Sequence, residues 1–332
     1  MDPEYRHRPF ERSDWEGWAA LWNRAYPQLP RSAAEPRDTM DRLVAGGQRS
    51  WGLGVEHRPT GQLVGMVTLA SQPIDADPHA FSIGGIVDGA HRRRGIGRAL
   101  WAAAERQSRE FEATVVRARA AAVPAEGPSF LLRRGFVETR RSIESVIDPQ
   151  TAEIGRWPDP AAEARRLGVE LFDRSPGGPA DRVGESELAE LFDATEVDVP
   201  RSGGAARFAL TDLRAWVLEN PQVRPSSFWL ARVDGQLVGV SYASDVPGDP
   251  HARIQQFTGT RRAYRGRGIG SLLKRQIVRA ARADGIRRLS TVNDATNTPI
   301  RAANARLGYR PVTEWVHLDR PVEAGRAVSA PP

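Results

Sequence analysis

The chain has no cysteine, and Lys274 is its single lysine. Without thiols there can be no disulfide framework, no cysteine-ligated zinc and no thiol nucleophile, and the redox compartment leaves no mark on the sequence. Also missing is any uninterrupted apolar run of about 18 residues, the length a membrane-spanning helix needs. The charged start, Met1 to Arg12, carries no apolar segment of signal-peptide length. A cytoplasmic protein without a membrane partner is expected. Because lysine is so scarce, the net charge of +6 is an arginine charge, and the 47 basic residues are interspersed with 41 acidic ones. A basic stripe with interleaved aromatics is lacking, so nucleic acid is not an expected partner. The six histidines show no metal-ligand spacing. His7, His57 and His91 are expected on the surface, and no metal is expected.

What the sequence does have is a repeat. Its 332 residues exceed one ordinary domain, and 40% hydrophobic with 27% charged residues is a globular balance. Gly61-Gln62-Leu63-Val64-Gly65 recurs as Gly235-Gln236-Leu237-Val238-Gly239. Arg94-Gly95-Ile96-Gly97 recurs as Arg267-Gly268-Ile269-Gly270, and Arg134-Gly135-Phe136 is matched by Leu307-Gly308-Tyr309. Three matches at almost one spacing indicate duplicated domains. The expected division is an N-terminal domain over 1–150, a proline-containing charged linker over 151–166, a C-terminal domain over 167–320 and a mobile tail over 321–332.

Within copy one, a strand at Tyr5 to Phe10 precedes a helix opened by Ser13 and Glu16, which have the spacing of a capping box, with Trp15, Trp18 and Trp22 at helical intervals. A hairpin over 50–56 and 62–71, a strand over 81–87, a helix over 98–108 and a strand over 115–118 follow. Copy two repeats the order with a helix over 185–192, a hairpin over 227–243, a strand over 253–260, a helix over 272–284 and a strand over 288–292. Two tandem α/β (α+β) domains are expected, each a mixed, mostly antiparallel sheet flanked by helices.

Strand, glycine loop and helix succeed one another at Arg92-Arg93-Arg94-Gly95-Ile96-Gly97 and at Arg265-Gly266-Arg267-Gly268-Ile269-Gly270. A helix N-terminus presents unpaired N–H groups and partial positive charge, glycine lets an anion approach the backbone, and arginine adds charge. A plain tight turn is the alternative for either loop alone; two matching loops weigh against it. The dinucleotide fingerprint fits badly, because Leu100 and Ser271 stand where its third glycine belongs, and the Walker loop's Gly-Lys-Ser/Thr is missing.

These loops resemble the Arg/Gln-x-x-Gly-x-Gly/Ala signature of the GNAT superfamily of N-acetyltransferases, through Arg92, Gly95 and Gly97 and through Arg265, Gly268 and Gly270. A second family block, an Asn after the fifth strand, a short helix and Gly-Phe/Tyr, is similar to Asn293 through Asn297 to Gly308-Tyr309. The tandem layout is similar to that of the mycothiol synthases. The resemblance implies that the loops, with Ser271, hold the pyrophosphate of acetyl-coenzyme A as co-substrate. It also implies that the strand edges at Ile86 to Val87 and Thr258 to Thr260 pair with its pantetheine arm, and that Asn297 and Asn304 belong to the coenzyme site. As a structural reading, Asn297 is equally a helix cap. Copy one has Pro124 where Asn297 stands, which points to a degenerate first site and an active second copy.

The implied reaction is attack of an amine on the thioester, with a small-molecule or peptide amine as acceptor. The family's acid, a Tyr four residues before Gly-Phe/Tyr, is replaced by Leu131 and Asn304, and no carboxylate base stands on the strands over 80–87 or 253–257. Tyr242 and Asp245 are the candidates to face the acceptor, in a pocket with one wall expected from the helical region 193–220. The alternative is a non-catalytic coenzyme-binding or substrate-sequestering protein that kept the fold and lost its acid and base.

Overall fold

The computed structural model describes residues 3–71, 77–196 and 210–322. The elements of the first repeat are β1 (Tyr5–Pro9), α1 (Trp15–Ala25), α2 (Ala34–Ala45), β2 (Ser50–His57), β3 (Gln62–Ser71), β4 (Ala80–Val87), α3 (Ile96–Glu110), β5 (Val115–Ala121), α4 (Glu126–Leu132) and β6 (Val137–Ile147). The second contributes α5 (Pro160–Leu167), β7 (Glu170–Asp173), α6 (Glu185–Glu196), α7 (Leu210–Leu213), which runs on as a π turn, then β8 (Phe228–Val233), β9 (Gln236–Val246), β10 (Asp249–Thr260), α8 (Ile269–Ala283), β11 (Arg288–Asp294), α9 (Thr298–Leu307) and β12 (Arg310–Pro321).

The chain forms two compact units that do not follow the repeat. One comprises Met1–Arg140 and the chain from Trp315 onward; the other is Arg141–Glu314. In the first unit β1 to β4 are antiparallel neighbours, β4 and β5 are parallel, and the last part of β12, from Trp315, pairs antiparallel with β5. In the second, β7 to β10 are antiparallel, β10 and β11 are parallel, and β6 from Ser142 pairs antiparallel with β11. Each repeat's last strand thus lies in the other unit's sheet. The expected cut at 150 and 167 follows the repeat, whereas the observed units part at Arg140 and Glu314. The segment expected as a linker contains α5, whose Glu163 pairs with Arg275 of α8. Residues 323–332, most of the expected tail, lie outside the described residues.

The shared Gly-Gln-Leu-Val-Gly motif has a packing cause. A Cβ on Gly65 would come 2.9 Å from Ile96, and one on Gly239 would come 2.9 Å from Leu273, so only glycine lets α3 and α8 lie this close to their hairpins. On the sheet side, α8 buries Ile269, Leu272, Leu273, Ile277, Val278 and Ala281, spaced at three and four residues. The α3 helix does the same with Ile96, Leu100, Ala103 and Ala104.

Two local expectations change. The capping box before α1 joins Glu11 and Asp14, not Ser13 and Glu16: Glu11 N donates to Asp14 Oδ2 at 2.7 Å. Asp14 is fixed there by both terminal nitrogens of Arg8, each at 2.7 Å. His7, His57 and His91 are half-buried rather than fully exposed. The His57 and His91 rings lie 4.8 Å apart, and His91 Nδ1 is 3.0 Å from the Tyr5 hydroxyl. Among the described residues no group of three or more His, Asp or Glu is placed to hold a metal ion, and no helix is long and apolar enough to cross a membrane.

Candidate functional site

In the second unit the parallel ladder between β10 and β11 is short. It runs from Ala252–Arg288 to Ile254–Ser290 and stops. Beyond that point the ladder ends, and the carbonyl of Gln255 accepts a hydrogen bond from the Thr291 hydroxyl at 3.2 Å. A bulge falls at the same level: Gln255 lies opposite Ala243 but Phe257 lies opposite Tyr242, leaving Gln256 as the extra residue. The result is a slot with the β10 edge from Gln255 to Thr260 along one side. In the first unit β4 and β5 separate likewise after Ile83–Ala118, leaving the edge that ends in Val87, but β4 pairs with β3 without a bulge.

Both slots lead to a glycine loop. Gly268 (φ 94°) and Gly95 (φ 85°) are the left-handed residues that turn the chain into α8 and α3, and no side chain caps either helix. By contrast α5 and α9 are capped by Asp159 and Asn297. Arg265 Nε and Arg92 Nε make the same bond five residues back, to Thr260 O at 3.0 Å and to Val87 O at 3.2 Å, closing each loop onto its strand end. The loop arginines Arg93, Arg94 and Arg267 are exposed. Uncapped N–H groups, a positive rim and open space where Gly95, Gly266 and Gly268 would carry a Cβ are the features an anion site needs.

The loops differ in two ways. Arg93 (φ 64°) occupies the left-handed position that Gly266 (φ 75°) fills in the second copy, at a cost of about 1 kcal/mol for a residue with a Cβ. More consequential is Phe130 of α4. Its ring lies 3.3 Å from where Gly97 would carry a Cβ and is covered by the Arg134 guanidinium at 3.4 Å. The repeat spacing sets Ala303 against Phe130, and the nearest neighbour of Gly270 is the Thr260 hydroxyl at 3.5 Å. An aromatic ring therefore packs against the glycine-loop helix of the first copy at Gly97, and none does so at Gly270 in the second.

The expected site residues distribute as follows. Thr258, Thr260 and Gly270 meet at the slot, with Ile269 buried beneath and Ser271 in the first turn of α8. Asn297 accepts from Ile300 N at 3.3 Å as the cap of α9. Asn304 is 3% exposed; its Nδ2 donates to Asn293 Oδ1 at 2.6 Å, and its own Oδ1 is buried without a donor. Such an orphan acceptor calls for a donor from a ligand or water. Tyr242 is stacked on Phe228 (5.6 Å) and lies beside Phe192 (6.0 Å), while Phe257 stacks on Phe192, so the α6 side of the sheet is an aromatic wall. Asp245 is bound to the fully buried Arg253 at 2.8 Å and to Arg224, with Asp284 completing the cluster at 2.9 Å from Arg253. Its carboxylate is a counter-ion in that cluster. Of the expected acceptor wall, residues 197–209 lie outside the described residues.

A buried polar group under the slot was not anticipated. Lys274 of α8 is 1% exposed, and its Nζ donates to Gln255 Oε1 at 2.8 Å. The Tyr309 hydroxyl donates to the same oxygen at 2.9 Å, and Gln255 Nε2 donates to Ser241 Oγ at 3.0 Å and Thr258 Oγ1 at 3.1 Å. Burial drives the Lys274 pKa down to about 7 and pushes that of Tyr309 up. The signal in the sequence was a single lysine inside the apolar stripe of α8, between Leu273 and Ile277.

A mixed sheet that splays beside an uncapped glycine-loop helix is an arrangement able to take an anionic, extended ligand along a strand edge. The chain belongs to the acetyltransferase (GNAT) family, whose model matches residues 15–126 and 189–309. Proteins of this family use acetyl-coenzyme A. The fold is similar to that of a GCN5-related N-acetyltransferase from Sphaerobacter thermophilus (19% identity, 97% of each chain covered, TM-score 0.72). It is also similar to a tandem GNAT protein from the clavulanic acid biosynthesis pathway (23% identity, 96% of this chain and 99% of that one, TM-score 0.70). No curated protein matches the sequence.

Proposed function

We propose that the protein transfers an acetyl group from acetyl-coenzyme A to a primary amine of a small molecule or peptide, at the slot of the second copy. The observation that carries this reading is the contrast between the two slots: both have the glycine loop, but only the second has the bulge and lacks an aromatic ring against its loop helix. The residues present fit the coenzyme, since the Gly266 and Gly268 cradle is open and Asn304 offers a buried acceptor to a ligand amide. Arg265, Gly266, Arg267, Gly268, Ile269, Gly270 and Ser271 would hold the pyrophosphate through backbone N–H groups and charge. Thr258 and Thr260 would offer strand-edge backbone to the pantetheine arm, with Asn304 beside it; Asn297 would act by fixing α9. When bound, the coenzyme supplies the activated thioester. The protein orients it, and the aromatic wall of Phe192, Tyr242 and Phe257 excludes water from the acceptor side.

The first copy's loop, Arg92 to Gly97 with Val87, keeps the charge and the turn but is closed by Phe130, so its role is architectural. Calorimetry with acetyl-coenzyme A tests the assignment. One strong site is expected, abolished by Gly268→Glu with Gly270→Glu and retained by Gly95→Glu with Gly97→Glu. Absence of binding by the wild type would overturn it. Release of free coenzyme A across a library of amines then tests turnover, and silence across chemically varied amines would favour a binding protein without catalysis.

A further inference from the structure

The buried polar cluster of the second unit has an internal control in the first. Registers identify the counterparts: Thr260 lies opposite Gly239 as Val87 lies opposite Gly65, and Gln255 lies opposite Ala243 as Ile83 lies opposite Leu69. Lys274, Gln255, Tyr309, Ser241 and Thr258 therefore correspond to Trp101, Ile83, Phe136, Val67 and Gly85. The first unit fills the same place with apolar groups, Trp101 and Phe136 meeting edge to face at 5.3 Å. The fold does not need polarity there, and burying an ammonium without a counter-ion is costly. Such a cost, confined to one copy, marks a functional position.

The cluster also stands at a defined level of the slot. From Thr260, beside the anion loop, to Gln255, where the strands join, is five residues of β10, about 16 Å of strand. That matches the reach of an extended pantetheine arm whose pyrophosphate lies on the loop, so its sulfur falls at the closed end. Lys274 is one helical turn beyond Gly270 on the same face of α8, and its side chain runs on to Gln255. We propose that the Lys274 ammonium, held by Gln255 at the closed end of the slot, is the positive charge that stabilises the coenzyme A thiolate released on acyl transfer. This rests on the acetyl-coenzyme A reading above. Transfer forms the carbon–nitrogen bond of the amide and breaks the carbon–sulfur bond, whose electron pair stays on sulfur. The acceptor nitrogen gives its surplus proton to water, and the thiolate leaves beside the lysine. Asn304, which has replaced the family's acid, has no proton to offer, so a fixed cation takes over the charge.

The neighbours favour this arrangement. Lys274 Nζ meets the uncharged Gln255, which in turn bonds the hydroxyls of Ser241 and Thr291, and the titratable Tyr309 places its ring centroid 5.5 Å from Nζ. Charged groups of α8, β10 and β11 have partners of their own: Arg253 with Asp245 and Asp284, Arg275 with Glu163, Arg288 with Asp249, and Arg279 and Arg282 with the carbonyls of Pro158 and Ala152. With a pKa near 7 in the free protein, Lys274 gains its proton when an anion arrives, and the thiol's pKa falls in step.

The test is to titrate the thiol of bound coenzyme A through thiolate ultraviolet absorbance, in the wild type and in Lys274→Met. The wild type should lower the bound thiol's pKa by about one pH unit or more relative to free coenzyme A. Lys274→Met should return it towards the free value while calorimetric affinity for coenzyme A changes less than about threefold. In turnover the variant should lose kcat with little change in KM. Coenzyme that binds both proteins with the same thiol pKa overturns the proposal. Failure of the wild type to bind coenzyme A overturns the underlying functional reading instead. Should Lys274→Met not fold, the wild-type titration decides alone, because an unshifted thiol contradicts a cation beside it.

Discussion

Replacing Lys274 by methionine should stabilise the second unit, and by an amount that depends on pH. The side chain is fully buried with one hydrogen bond to Gln255, and its pKa falls from an ordinary 10.5 to about 7. A drop of about 3.5 pH units is worth about 5 kcal/mol at 1.36 kcal/mol per unit. The sign follows from proton counting. Between pH 7 and 10.5 the unfolded chain holds a proton that the folded state does not, so stability rises with pH across that window. The penalty is fully present below pH 7 and gone above pH 10.5. Methionine removes the titration and gives up one hydrogen bond, worth about 1 kcal/mol at any pH. The variant should therefore exceed the wild type by about 4 kcal/mol at pH 6 and by about 2 kcal/mol at pH 8, and match it at pH 10.

Urea dependence of amide exchange, read on α8 peptides by mass spectrometry, reports this unit's opening without requiring the whole chain to unfold in one step. A gap independent of pH would refute the argument, because it would mean that the amine is hydrated or paired in the folded protein. A wild type more stable than the variant at pH 6 would refute it equally.

Four further outcomes are expected. Phe130→Ala should open the first slot and raise the calorimetric stoichiometry for acetyl-coenzyme A from one towards two; an unchanged value would show that the ring is not the barrier. Arg93→Gly should relieve a left-handed arginine and stabilise the first unit by about 0.5 kcal/mol, measured as a shift in urea midpoint. Asp245→Ala, by removing one of the two carboxylates that hold the buried Arg253 while Asp284 remains, should cost about 2 kcal/mol, and a variant as stable as the wild type would restore Asp245 as a free carboxylate for catalysis. Asn297→Ala should cost about 1 kcal/mol through the lost cap of α9, read in exchange of that helix's first turn.

Much of the glycine-loop architecture was legible in the chain itself. Glycine at fixed offsets reads out because left-handed backbone and close helix approach each forbid a Cβ, as at Gly268 and Gly239. The order of strands and helices reads out because their apolar periods differ, and most elements fall within a few residues of expectation. The extra residue at Gln256 did not read out, since a bulge is defined by which neighbour a residue faces, and its own composition is ordinary. The candidates Tyr242 and Asp245 were chosen by residue type, yet Asp245 is tied to Arg253, eight positions away along a hairpin whose register the sequence does not print.

By itself the sequence determined a duplicated α/β chain with two strand–glycine-loop–helix motifs, and made the second the richer of the two in motif residues. Only the tertiary structure decided where each repeat's last strand goes, because a strand's alternating pattern is the same whichever sheet it completes. It also decided that Phe130 packs against Gly97 in the first copy, and that the chain's lone lysine is buried against Gln255 in the second. A helical stripe reveals which way a side chain faces, but the neighbours that strip it of water and set its charge come from strands distant in sequence. The two glycine loops therefore look alike as sequence and differ in what the fold brings up against them.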